Sequence, residues 1–178
     1  ALLICLTRRI PEADRYTREG RFTVWDPLLL RGDELYGKHM GIIGMGRIGF
    51  EMARRCRAFG MNILYYNRNR VDEEKEKAVE AVYCGLNELL ERAHVVSLHV
   101  PSTSKTRHLI DSAAFDRMRD GVYLINTARG EIVDEAALVK ALERGKVKGA
   151  GLDVYEFEPE ISPGLFEMEN VVLLPHIG

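Results

Sequence analysis

The sequence predicts an α/β fold built on a doubly wound parallel sheet. Three observations predict it. From residue 38 onward, short apolar runs alternate with amphipathic helical stretches. Between the first run and its helix stands "GIIGMGRIG", with glycines at positions 44, 46 and 49. The stretches richest in reactive side chains each follow one of the apolar runs. Short apolar strands joined by helices pair in parallel, with helices covering both faces. Right-handed crossovers then give the Rossmann-type strand order 3-2-1-4-5-6, with a seventh strand at an edge.

Each element has a local reason. Residues 1–9 and 11–19 read as two helical pieces, and Pro11 suits the start of the second. "GRFTVWDPLLLRGDELYG" has no clear period; an apolar arm of this kind should bury itself, on its own domain or on a partner subunit. "HMGIIG" is a buried strand, and residues 46–59 form the helix after it. "MNILYYN" is the second strand, and "DEEKEKAVE" a charged helix with a solvated face. "AVYCG" is a third strand, "LNELLERA" a helix, and "HVVSLHV" a fourth strand closed by Pro101. "DSAAFDRM" is a helix capped by Asp111 or Ser112. "GVYLINT" is the fifth strand. "DEAALVKALERG" is a helix with acids at its start and Gly145 as its stop. "VKGAGLDVY" and "NVVLLP" are the sixth and seventh strands.

Composition excludes several classes. With 178 residues, 46% of them hydrophobic, the chain has material for a substantial core. A net charge of −2 without a basic run argues against nucleic acid and anionic membranes. No apolar run approaches the roughly 18 residues that cross a bilayer. Cys5, Cys56 and Cys84 are odd in number and widely spaced, so they read as reduced thiols of a cytoplasmic protein, with no zinc site. The absence of an initial Met, and an end at "LLPHIG", read as a piece cut from a longer protein.

The glycine stretch fits a dinucleotide-binding turn. Gly44 permits the tight turn, Gly46 lets the backbone approach a pyrophosphate, and Gly49 lets the helix pack on the sheet. The helix then points its positive end and free N–H groups at the phosphates. The second strand ends "LYYNRNR". An acid there would bind a ribose 2′-hydroxyl, but position 67 is Asn, followed by Arg68 and Arg70. This combination welcomes a 2′-phosphate, so NADP(H) is expected ahead of NAD(H).

"INTARGEIVDEAAL", "GAGLDVYEFEP" and "LLPHIG" lie at the carboxyl ends of expected strands, where such sheets place ligands. Reducing a keto acid needs a cation for the carboxylate and carbonyl, and a proton donor that titrates near neutrality. Arg129, Glu158 and His176 are the right types in the right zone, Glu158 serving to hold the imidazole. Taken singly, each has a plainer reading: a surface ion pair, a loop charge, a strand cap. Their joint place on one side of one sheet favours chemistry. Of the other histidines, His39 and His94 belong at the opposite end of the sheet, His99 could line the cofactor cleft, and His108 sits in a polar loop. No group has metal-ligand spacing.

Taken with "HVPSTSKTRHLI", these motifs resemble the D-isomer-specific 2-hydroxyacid dehydrogenases over nearly the whole chain, and within them the glyoxylate/hydroxypyruvate reductases. The resemblance implies that His176 donates the proton, Glu158 pairs with it, and Arg129 binds the substrate carboxylate and polarises the keto group. It implies cofactor contacts at Met45, Gly46, Arg47 and Ile48 on the pyrophosphate, and at Asn67, Arg68 and Asn69 around the ribose. Val100 and Pro101 would wall the adenine, and Thr127 and Ala128 would make backbone contacts. Asp153 would bind the nicotinamide carboxamide beside Gly178. It also implies that residues 1–36 are an interdomain helix and a dimerisation arm, that 37–178 are the dinucleotide domain, and that a substrate domain lies outside the chain. The alternatives are a phosphoglycerate or other NAD-dependent 2-hydroxyacid dehydrogenase, and an NAD(H)-sensing corepressor-like protein without turnover. A formate dehydrogenase fits less well, because that branch has an amide where Glu158 stands.

Overall fold

The computed structural model describes residues 1–178. Seven parallel strands form one sheet in the order β3-β2-β1-β4-β5-β6-β7. They are β1 (His39–Ile43), β2 (Asn62–Tyr66), β3 (Ala81–Tyr83), β4 (Val95–Leu98), β5 (Val122–Asn126), β6 (Val147–Leu152) and β7 (Val171–Leu173). The expected order holds, with the seventh strand at an edge beside β6.

The two faces divide the core as a period of two requires. In β1, Met40 and Ile42 pack on one face and Ile43 on the other. In β5, Tyr123 and Ile125 face one way, Val122 and Leu124 the other. One face is covered by α5 (Leu86–Arg92), α6 (Ser112–Arg117) and α7 (Glu135–Glu143), through Leu89, Phe115 and Leu138. The other is covered by α1 (Leu2–Thr7) and α3 (Arg47–Ala58), through Leu2, Leu6, Ala53 and Cys56. Helix α1 lies on β6 because two strand glycines make room for it. A β-carbon on Gly149 would stand 3.3 Å from Leu6, and one on Gly151 would stand 2.9 Å from Leu2.

Helix ends follow local chemistry. Asp111, not Ser112, caps α6 by accepting Ala114 N–H at 2.8 Å, and Asp134 caps α7 through Ala137 N–H at 2.9 Å. Pro11 is the second residue of α2 (Ile10–Arg18) and not its first. Other boundaries differ from expectation by a residue or two, as fraying ends do.

One expectation needs correction, and one of two alternatives is closed. The helix α4 (Glu73–Ala78) is not wholly solvated, because Glu76 is buried. Its carboxylate accepts the Tyr65 hydroxyl and both Nε and Nη2 of Arg70, the latter two at 2.8 and 2.7 Å. Arg70 is therefore committed to Glu76 and is not a free cation for a cofactor phosphate. The arm, in turn, does not bury itself on this domain: Phe22, Val24, Trp25 and Leu28 are exposed, Trp25 by 77%.

The Arg70 and Tyr65 hydrogen bonds hold the Glu76 carboxyl at about 2, overcoming its burial. A depressed carboxyl contributes stability that is whole above its ordinary value of 4.5 and fades as pH falls towards about 2. Glu76→Gln should therefore melt below the unsubstituted protein at neutral pH, with the gap closing across that acid window. A gap independent of pH in thermal unfolding would count against this account.

At the opposite end of the sheet His39 and His94 stack with ring centroids 5.6 Å apart. His39 N–H donates to His94 Nδ1 at 3.1 Å. Burial, then the charges of Arg119 and Lys38, push His94 down to about 4. This pair belongs to the base of the fold, as its place in the sequence predicts.

Candidate active site

Two clefts lie along the carboxyl edge of the sheet. The first, of about 630 Å³, opens between the ends of β1, β2 and β4. Gly44 turns the chain out of β1 with φ +102°, and a β-carbon there would stand 2.6 Å from the His99 carbonyl oxygen. Gly49 packs directly on the Gly44 carbonyl, leaving no room for a side chain. At Gly46 a β-carbon would meet nothing within 4 Å, so open space lies over the backbone at the start of α3. That twelve-residue helix has no side-chain cap. Its first N–H groups are thus available to an anion. Met45 is buried, while Arg47 and Ile48 stand exposed on the first turn.

Asn67 braces this turn, its Oδ1 accepting Met45 N–H at 2.7 Å. It lines the same cleft as Arg68, Asn69, Val100 and Pro101. The structure thus brings together the residues expected around the adenosine half of a dinucleotide. His99 lines the cleft too, its Nε2 2.9 Å from Ser97 Oγ, and burial pushes it down to about 4, so it is neutral at physiological pH. Sequence reasoning missed Thr103, Lys105, Thr106 and Leu109 as members of this wall. The signal was present in "PSTSKT", a hydroxyl-rich loop directly after β4, since Thr106 Oγ1 ties it down by donating to the Pro101 carbonyl at 2.6 Å.

The second cleft, of about 570 Å³, lies beyond β5, β6 and β7, and holds Arg129, Glu158 and His176 together. Asn126, the last residue of β5, shapes the turn to Arg129. Its Nδ2 donates to the Arg129 carbonyl at 2.9 Å and its Oδ1 accepts Ala128 N–H at 3.1 Å. Thr127 is exposed and Ala128 half-buried on that turn. Arg129 forms no ion pair; Nη1 donates to the Ala128 carbonyl at 2.6 Å. The surface-ion-pair reading of Arg129 therefore fails.

His176 Nδ1 lies 2.9 Å from Glu158 Oε2, and Glu158 Oε1 accepts Tyr155 N–H at 2.9 Å. Burial raises the Glu158 carboxyl. The bonds from His176 and Tyr155 N–H, with the charges of His176 and Arg129, outweigh it and hold the group below its usual range. Glu158 is then an ionised acceptor, so Nδ1 carries a hydrogen and Nε2 is the nitrogen left for other chemistry. His176 has φ +57°, a left-handed conformation set by its neighbours. Asp153, buried at the end of β6, accepts Ile177 N–H and Gly178 N–H at 2.9 and 2.7 Å. Each Asp153 oxygen keeps further acceptor capacity for a ligand amide. Tyr155 adds a second tether, its hydroxyl donating to the Leu174 carbonyl at 2.8 Å.

A glycine turn opening an uncapped helix, at the carboxyl end of a doubly wound parallel sheet, defines a dinucleotide-binding domain. The whole chain, residues 1–178, matches the model of the D-isomer specific 2-hydroxyacid dehydrogenase, NAD binding domain. The chain belongs to that family. A glyoxylate reductase of Korarchaeum cryptofilum is 52% identical over 180 residues, 99% of this chain and 53% of that protein. The crystal structure of a glyoxylate reductase from Paecilomyes thermophila superposes with a TM-score of 0.92 at 46% identity, over 99% of this chain and 52% of that one. The apo D-mandelate dehydrogenase of Rhodotorula graminis gives 0.92 at 38% identity, over 99% and 53%. The chain thus spans about half the length of the relatives it matches.

Proposed function

We propose that the chain is the dinucleotide-binding and acid–base half of an NADP(H)-dependent reductase of small 2-keto acids, of the glyoxylate or hydroxypyruvate type. The observation that carries this reading is the His176–Glu158 pair facing the same cleft as an Arg129 with no carboxylate partner.

In this reading Arg129 binds the substrate carboxylate through its planar fork and polarises the adjacent carbonyl. His176 donates the Nε2 proton to the carbonyl oxygen as negative charge develops there. Glu158 fixes the ring through Nδ1 and compensates the charge on the imidazolium. Asp153 orients the His176–Gly178 segment and accepts from the nicotinamide carboxamide. The bound dinucleotide supplies the hydride. The first turn of α3, Met45 to Gly49, takes the pyrophosphate on its N–H groups. Thr127 and Ala128 add backbone contacts, and Val100 and Pro101 close on the adenine.

NADP(H) is favoured on narrower ground than the sequence offered, because Arg70 is spent on Glu76. Arg68 remains, and Lys105 joins it in the cleft. A second domain beyond these residues supplies the rest of the substrate pocket. Within residues 1–36 helix α1 is taken up by this domain's own sheet, and the exposed arm around Trp25 is the part that covers a second subunit in a homodimer.

The test is turnover of glyoxylate and hydroxypyruvate by the complete polypeptide, with NADPH and NADH compared. NADPH should win. Asn67→Asp keeps an acceptor for Met45 N–H but places a charge beside the 2′-phosphate. Giving up a charge-assisted hydrogen bond there costs about 1.5–3 kcal/mol, so NADPH affinity should fall roughly 10- to 100-fold while NADH gains. Unchanged preference in that variant would show that the 2′-phosphate is read elsewhere, and absence of turnover would favour a sensing role.

A further inference from the structure

One buried carboxylate that takes no part in the proton chemistry brackets the turn that carries Glu158. Glu135 opens α7 and is 3% exposed. Its Oε1 accepts Glu156 N–H at 2.6 Å. Its Oε2 accepts both the N–H and the hydroxyl of Ser162, at 3.3 and 2.7 Å. Residues 156 and 162 flank Glu158 on either side, so a single side chain holds both ends of its loop. The helix has no need of Glu135 as a cap, since Asp134 already fills that place.

The clasp is reciprocal. Glu156 Oε2 accepts Glu135 N–H at 3.3 Å. Glu156 Oε1 meets His108 Nε2 at 2.5 Å and Arg107 Nη2 at 3.5 Å. A separate contact ties the same loop to the substrate-binding turn. A β-carbon on Gly130 would stand 1.8 Å from the Tyr155 carbonyl oxygen and 2.5 Å from Glu156 N. The turn after Arg129 therefore rests directly on the peptide that begins the Glu158 loop, and whatever fixes that peptide fixes the spacing of Arg129 from the His176–Glu158 pair.

We propose that Glu135 is a positioning residue of the reaction, setting that spacing through its bonds to Glu156 and Ser162. The proposal rests on the reductase reading above. A carboxylate suits the task because its two oxygens together accept three donors, whereas an amide offers one oxygen and would leave buried donors unmatched.

A double-mutant cycle in the complete enzyme tests it. Glu135→Gln is made alone and on a Glu158→Ala background, and kcat and NADPH affinity are measured for all four proteins. Displacement of a reacting group by about an ångström costs on the order of 10²-fold, so Glu135→Gln alone should lose roughly 10- to 100-fold in kcat. On the Glu158→Ala background the further loss should be under about 3-fold, because without that side chain His176 is no longer held to the loop and no spacing from Arg129 is left for Glu135 to set. NADPH affinity should stay within about 2-fold throughout, since Glu135 makes no contact with the dinucleotide cleft. Equal losses on both backgrounds, or no loss in either, would overturn the positioning role while leaving the reductase reading intact. No turnover by the unsubstituted enzyme would overturn both. If Glu135→Gln does not fold, Ser162→Ala removes only one hydroxyl bond and carries the same cycle, with an expected loss of about 3- to 10-fold that again vanishes without Glu158.

Discussion

Replacing His176 by Ala in the complete enzyme is expected to lower kcat by roughly 10²- to 10⁴-fold, the range that a positioned general acid supplies. Cofactor affinity should hardly change, because His176 lies in the cleft beyond β5–β7, apart from the residues around the adenosine half. The left-handed backbone at φ +57° offers a built-in control. Asn tolerates that conformation better than Ala and can still bond Glu158, but it carries no proton for the carbonyl oxygen. His176→Asn should therefore be as inactive as His176→Ala. Recovery of activity in the Asn variant would move the role of His176 from proton donor to turn former. The pair itself should persist in mild acid, since Glu158 is held below its ordinary range and stays ionised there.

Arg129→Lys is the second large effect. The substitution keeps the charge and removes the fork, so one charge-assisted hydrogen bond to the substrate disappears. That is about 1.5–3 kcal/mol, or roughly 10- to 100-fold in kcat/KM. The fold should not respond, because the guanidinium is exposed and bonds only the Ala128 carbonyl, while Asn126 and Gly130 hold the turn. Normal kcat/KM for 2-keto acids in this variant would remove Arg129 from the site. A rise in KM with kcat unchanged would mean that Arg129 binds the ground state and the transition state equally.

Much of this was legible in the sequence because the signals were periodic or local. Ile42, Ile43, Leu124 and Ile125 announce buried parallel strands, and the glycines at 44, 46 and 49 announce the turn between one of them and its helix. Arg129, Glu158 and His176 were found because each follows a strand, and strand ends in such a sheet converge. The unread part depends on contacts between residues distant in sequence. Nothing in "DEEKEKAVE" distinguishes Glu76 from its neighbours; only the fold brings Tyr65 and Arg70 onto it. The same contact withdrew Arg70 from the cofactor. Glu135 reads as an ordinary first-turn acid, and its bonds to Glu156 and Ser162 cross a loop whose path no local pattern sets. The arm around Trp25 has no period, so its sequence announces apolar residues and not the face they lie on, and the fold leaves them exposed.

The packing of α1 on β6 has a consequence for how the protein is made. Leu2 and Leu6 seat on Gly149 and Gly151, almost the last part of the sheet to be translated. At about 5–20 residues per second the ribosome keeps that helix waiting roughly seven to thirty seconds for its strand. Throughout that interval an apolar face is presented to solvent or to a nascent-chain chaperone. Docking of α1 is then gated by synthesis of β6 rather than by local helix formation. A stall in translation before residue 149 would leave the nascent chain with α1 unplaced and β5 bare on the face that α1 closes, while α3 already covers β1 and β2.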